Sequence, residues 1–129
     1  MLIVLPAIGE AQPADAGLKS LYRARRWAEL HEALKAPGGP VLYRGVVAAV
    51  FNDDRLAEHL LHSVITSAPR SDEAYEAYEW LAHIYFRTGR YRQFMADMEA
   101  RWEAFPNKTE LKNERLAVAG FRGLPDQIV

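Results

Sequence analysis

Residues 76–106 read EAYEWLAHIYFRTGRYRQFMADMEARWEAFP, and residues 39–69 read GPVLYRGVVAAVFNDDRLAEHLLHSVITSAP. Laid over each other at an offset of 37 residues, the two stretches agree where agreement is structurally demanding. Gly45 falls on Ala82, Asn52 on Gly89, Ala57 on Phe94 and Pro69 on Pro106. The first pair is small with small and the last is proline with proline. Asn52 and Gly89 are both types that tolerate a left-handed backbone. A repeat of this period predicts stacked helix pairs, an architecture that commonly presents a surface for gripping other chains.

Working outward, apolar residues recur three and four apart, which is the helical period. The stretch from Val41 to Phe51 is apolar nearly all round. A helix without a polar face is buried on most sides, so this is the expected central helix. Gly45 within it costs about 1 kcal/mol of helix propensity against Ala. Close approach of a neighbouring helix is the expected return. Asn52 ends the helix and Asp53 caps the next, which runs over about 54–67 and stops before Pro69. Ser71 or Asp72 caps a fifth helix that reaches about Arg87 and ends at Gly89, with Asp72 and Glu73 suited to its N-terminal dipole. A sixth spans about 91–104. Asn107, with Glu110 three residues on, resembles a capping box and opens a shorter last helix to about Ala119.

Upstream, a short helix over about 14–23 carries Leu18, Leu21 and Tyr22. A second, over about 26–36, puts Trp27, Leu30 and Leu34 on one face. Pro37-Gly38-Gly39-Pro40 stops it. The expected fold is therefore all-α, a right-handed stack of about three helix pairs closed by a C-terminal capping helix. Residues 14–119 form the helical domain, and residues 120–129 read as an extended tail or linker. Residues 1–13 form an apolar N-terminal segment. Its run MLIVLPAIG lacks the basic start of an export signal and is too short to span a bilayer. Two readings stand, the tail of a longer signal or a segment that packs on the first helix.

The chain has 129 residues, enough for one domain with a modest core. Sixteen Lys and Arg against seventeen Asp and Glu give no basic face of the kind that nucleic acid requires. Cys is absent, which removes disulfides, thiol chemistry and Cys-ligated zinc. No stretch reads as a membrane span.

The second copy resembles a tetratricopeptide repeat. The pattern is carried by Tyr78, Leu81, Ala82, Tyr85, Gly89, Tyr91, Met98 and Pro106. Phe94 and Arg101 depart from it, standing where the family has small residues. The earlier copy keeps Gly45, Ala57, Ile65 and Pro69 but has Arg44 and Ala48 at the Leu and Tyr positions. Its offset also exceeds the family's period of about 34. Trp27 and Leu30 resemble the second helix of a truncated first repeat, so the resemblance covers residues 15–106.

A second resemblance concerns the whole chain. Leu42-Tyr43-Arg44-Gly45, Phe51-Asn52-Asp53, Thr88-Gly89-Arg90-Tyr91 and Leu124-Pro125-Asp126-Gln127 are similar to the helical N-terminal region of bacterial retropepsin-like (gag-polyprotein-type) aspartic proteases. In that family an export signal and a repeat-like helical region precede the protease domain. The resemblance implies a non-catalytic, extracytoplasmic accessory module that docks a substrate, a partner protein or peptide, or the protease domain itself. A free-standing adaptor and a dimerisation unit are the alternatives. None of the Asp residues, at 15, 53, 54, 72, 97 and 126, sits in the Asp-Thr-Gly or Asp-Ser-Gly turn that the protease chemistry needs.

The repeat resemblance implies that the first helix of each pair lines a concave surface. The candidate groove residues are then Glu76, Glu79, Trp80, His83, Phe86 and Arg87, with Tyr43 from the central helix. Trp and Arg are favoured binding anchors. The competing reading of Trp80 is core, under the helix that follows Asn107. Tyr85, Tyr91, Phe94 and Trp102 read as core. Some repeat domains clamp a terminal carboxylate with Lys and Asn; here those positions carry Leu42, Val46, Glu79 and His83, so contacts to a peptide should be apolar and aromatic.

His59 and His62 share a helical face beside Glu58 and could ligate zinc if His31 or His83 came close, the basis of a rival reading as a small metal-dependent enzyme. The plainer reading is a polar strip, and no metal or cofactor is expected. Lys19, Arg23, Arg25 and Arg26 read as a solvated basic face, with Arg25 and Glu29 at helical ion-pair spacing.

Overall fold

The computed structural model describes residues 16–122. They are all-α: α1 (16–23), α2 (Trp27–Ala33), α3 (Val41–Val50), α4 (Asp54–Ser67), α5 (Asp72–Arg87), α6 (Tyr91–Ala104) and α7 (Thr109–Arg122). Each helix from α2 onward packs on its chain neighbour, and α3 also reaches α5.

Three of the inter-helix turns are the same turn. Arg25, Asn52 and Gly89 all have left-handed backbone, at φ 57°, 64° and 73°. In each, two N–H groups fold back onto the preceding helix. Asn52 N–H donates to the Ala49 carbonyl and Asp53 N–H to Ala48; Gly89 N–H donates to Phe86 and Arg90 N–H to Tyr85. Arg25 and Arg26 do the same to Tyr22 and Leu21. This pattern satisfies carbonyls that the helix end would otherwise orphan. The following N-cap residues repeat the geometry as well: φ −88° and ψ 73° at Arg26, −88° and 72° at Asp53, −91° and 67° at Arg90. The links α1–α2, α3–α4 and α5–α6 are thus locally equivalent. The second helices also stop alike, at Ala68 and Phe105, each followed by a proline.

α3 lies at the centre, with Leu42, Gly45, Val46, Val47, Ala48 and Ala49 buried. A Cβ built on Gly45 would meet Leu61 Cδ2 at 2.9 Å, Leu61 Cγ at 3.0 Å and Leu60 Cβ at 3.3 Å. α4 therefore approaches α3 closely at the glycine, as its place in an apolar helix implies. Next to it, Val46 packs with Leu42, Leu61, Leu81 and Ile84 in the main core of α3, α4 and α5. Leu30, Leu34 and Val47 form a smaller cluster beneath α1 and α2. Ala74, Tyr78, Trp102, Phe105 and Leu111 form a third, which seats α7.

Caps follow the local chemistry. Asp53 accepts a hydrogen bond from the Leu56 N–H at 3.4 Å, and Ser71 Oγ accepts from the Ala74 N–H at 3.0 Å. Ion pairs then tie α4 to α5 and the turn after it. Arg87 grips Asp54 through both guanidinium nitrogens, and Arg90 grips Glu58 in the same way.

Three boundaries differ from the sequence reading. α2 ends at Ala33: Leu34 still donates to the Leu30 carbonyl, but the Lys35 N–H closes a tighter turn on Glu32 and the chain leaves for the Pro37 loop. The capping box at Asn107 is not formed: α7 begins at Thr109, and Glu110 accepts instead from the Tyr75 hydroxyl at 3.4 Å. α7 also continues through Gly120 to Arg122, past the expected end at Ala119. The apolar segment 1–13 and the tail 123–129 lie outside the described residues.

An aromatic groove between the first turn and the fifth helix

Glu76, Glu79, Trp80 and His83 sit three, four and seven apart on α5, so one stripe of the helix presents all four. Facing them are the C-terminal end of α1, its turn and the start of α2. Together with Tyr22, Arg23, Arg25 and Trp27 they line a cavity of about 300 Å³, open to solvent. Its back wall is a run of rings. Tyr43 of α3 stacks on Tyr22 at 4.3 Å between ring centres. Tyr22 meets the edge of Trp27 at 5.8 Å, Trp27 meets Trp80 at 5.8 Å and 89°, and Trp80 leads to His83 at 6.0 Å. Edge-to-face pairs of this kind favour a fixed arrangement through the ring quadrupoles.

One hydrogen bond locks the two walls together. The Tyr22 hydroxyl donates to Glu76 Oε2 at 2.7 Å, across 54 residues of sequence. Burial, and then this carboxylate, push the phenol pKa well above its ordinary value, so Tyr22 stays a donor. The rims differ in charge. Arg23 and Arg25 stand on one side and Glu79 on the other, all exposed. None of these three side chains makes a hydrogen bond or ion pair with a described residue. The groove thus offers flat apolar faces between exposed guanidinium and carboxylate groups.

Of the seven expected groove residues, four converge here and Tyr43 stands directly behind Tyr22. The other two lie elsewhere. Phe86 is six positions beyond Trp80, about 120° round the helix. It is 62% exposed and meets Tyr91 and Phe94 of α6 instead. Arg87 remains on the Trp80 stripe but is held by Asp54. Trp80 is half-buried, yet not under α7: its cover is Trp27, while α7 packs on Trp102 and Phe105. Leu42 and Val46 are buried in the core and do not line the groove. The contacts on offer are therefore aromatic and ionic rather than aliphatic.

Arg23 and Arg25 were not legible as groove residues. Read as a string, Lys19-to-Arg26 is a solvated basic face, and Arg26, not Arg25, pairs with Glu29. The signal that moves Arg25 is its left-handed backbone, which follows from the turn and not from its residue type.

The histidines do not assemble. His62 lies within 3.3 Å of both Asp97 and the Tyr85 hydroxyl, His83 is in the groove, His31 rests on Phe51 and His59 is exposed. Among the described residues no three His, Cys, Asp or Glu side chains converge on a point where a metal ion could sit. Among them, too, no helix is long and apolar enough to cross a membrane. No protein-family model, curated protein or solved structure matches the chain.

Proposed function

We propose that this chain is a non-catalytic protein-interaction module whose aromatic groove docks a peptide segment of another chain or domain. The observation that carries the reading is the solvent-open run of Tyr22, Trp27, Trp80 and His83 between the exposed Arg23, Arg25 and Glu79. Aromatic and Arg side chains supply most of the energy in protein interfaces, and a rigid ring wall loses little entropy on binding. In this reading the helices form a stack of three tetratricopeptide-like pairs with α7 as cap. The equivalent turns at Arg25, Asn52 and Gly89 support it. The stack is the N-terminal accessory region of an exported retropepsin-like aspartic protease, a step that rests on the four short runs quoted above.

Two experiments address the two halves. Phage-displayed peptides selected on the purified chain should lose affinity about ten-fold or more with Trp80→Ala and with the exposed Glu79→Arg. Unchanged affinity in both variants would remove the groove. For the parent protein, the reading frame past Val129 should continue into an Asp-Thr-Gly or Asp-Ser-Gly turn. A stop codon there would leave a free-standing adaptor.

A further inference from the structure

The charges of the aromatic groove are sorted by wall. Arg23 and Arg25 belong to the end of α1 and its turn, and Glu76 and Glu79 to α5. Among the described residues none of the four enters an ion pair. Glu29, the carboxylate nearest to Arg25 in sequence on α2, is taken by Arg26. Elsewhere in the chain opposite charges on neighbouring helices do close on each other, as Arg87 does on Asp54 and Arg90 on Glu58. Across the groove they face each other with the rings between them.

The carboxylate wall is also the ring wall. Glu76 and Trp80 are four apart on α5, and Glu76 and Glu79 three apart, which brings their Cβ atoms to about 5–6 Å. The Tyr22 hydroxyl holds Glu76 by Oε2 at 2.7 Å, which fixes the carboxylate while leaving Oε1 able to accept. Tyr22, Trp27 and Trp80 meet in succession at 73° and 89°, so their faces turn a corner rather than share a plane. Ring faces are negative, and Trp is the strongest of the three types for a cation. The chain's own cations lie over other rings: Arg90 over Tyr85, and Arg101 and Lys108 over Tyr75. Among the described residues none lies over Tyr22, Trp27 or Trp80.

This half of the groove therefore suits a cation with a flat body. Guanidinium fits both requirements: it stacks on aromatic faces, and its fork of donors can reach two carboxylates at once. An exposed ion pair to Glu79 alone would contribute little. The half-buried Glu76 and the rings add to it where water is partly excluded. The cavity of about 300 Å³ takes one long side chain, not a whole helix about 10–12 Å across.

We propose that the groove takes an arginine side chain as the anchor of the docked segment, between Trp80 and the Glu76 and Glu79 carboxylates, with an acidic residue of the same segment reaching Arg23 and Arg25. The proposal rests on the groove being the docking surface and names the chemistry that it reads.

The test uses the isotope-labelled full chain and the end-capped peptide Ala-Asp-Ser-Arg-Ser-Asp-Ala, whose charges are symmetrical so that either chain direction is served. Binding is read from the indole N–H signals. Trp27 and Trp80 should move and saturate. Citrulline in place of the arginine keeps the shape, removes the charge and should weaken binding about five- to ten-fold. Glu79→Gln, at an exposed position, should weaken the arginine peptide several-fold and leave the citrulline peptide as it was. Equal binding of the two peptides overturns the proposal, as does indifference to Glu79→Gln or no movement of Trp27 and Trp80 at about 5 mM peptide. The groove is judged separately, by peptides selected on the chain by phage display. If these move Trp27 and Trp80 but carry no arginine, the groove stands and the arginine anchor falls. If they bind and move neither signal, the groove falls and the anchor with it.

Discussion

Gly45 and Arg25 are residues whose backbones, more than their side chains, decide a close packing and a turn. At Gly45 an added methyl would gain about 1 kcal/mol of helix propensity. It would also press on Leu61, which has no solvent exposure, and on Leu60 Cβ, which cannot move without α4. Overpacking of that kind costs about 1–3 kcal/mol. Gly45→Ala should therefore lower the melting temperature by a few degrees, and Gly45→Val by more; a higher melting temperature for the alanine variant would show that α3 and α4 are not so closely packed. Arg25 holds a left-handed conformation at a position where Gly is the preferred helix terminator. Arg25→Gly should stabilise the fold by about 0.5–1 kcal/mol in chemical denaturation while weakening groove binding. That opposition separates a residue kept for recognition from one kept for folding. Asn52 and Gly89 announce their turns because their types tolerate φ near 60°. Arg25 makes the same turn without such a type, so this turn was not legible in the sequence, although Trp27 and Leu30 had already suggested a helix pair there.

At the scale of elements, α4 and α6 have the bounds their prolines and caps imply, because those signals act within a few residues. α7 overran its expected end because a glycine inside a helix costs only about 1 kcal/mol and does not by itself stop it. Contacts between elements were the least legible. Arg101 stands where the repeat pattern wants a small residue, and α6 accommodates it through α7. Its guanidinium meets both oxygens of Glu114, which also accepts from the Trp102 indole at 3.2 Å. The Arg101 side chain is only 12% exposed. Glu114→Ala leaves it uncompensated and should cost about 2–3 kcal/mol, seen as loss of helicity in α7 by hydrogen exchange. His62 ties α4 to α6. The hydrogen bond to Asp97 raises its pKa against the opposing effect of burial. A raised folded value means the bond stabilises fully below the unfolded pKa near 6.5 and is lost as pH rises through the folded value. Above that point the Tyr85 hydroxyl, whose own pKa is pushed up to about 12, can donate to the bare nitrogen instead. The difference in melting temperature between pH 5.5 and pH 8.5 should shrink in Asp97→Asn; an unaltered difference would place the pH response elsewhere. His62 is half-exposed, so the effect is small.

For the whole molecule, the all-α class and most of the helix order could be read from the spacing of apolar residues. The groove could be read only in part. Helical phase put Glu76, Glu79, Trp80 and His83 on one stripe, but no local pattern says that α1 folds back to face it. That placement depends on Tyr22, Trp27 and Tyr43 meeting across the chain. The three tryptophans report on this directly, because two line the groove and the third, Trp102, is buried beside α7. The decisive measurement is a nitrogen–proton correlation spectrum of the indole groups, titrated with a peptide selected on this protein. The Trp27 and Trp80 signals should move together and saturate, with Trp102 unmoved. A peptide that binds while shifting Trp102, or none of the three, would contradict the groove as the recognition surface.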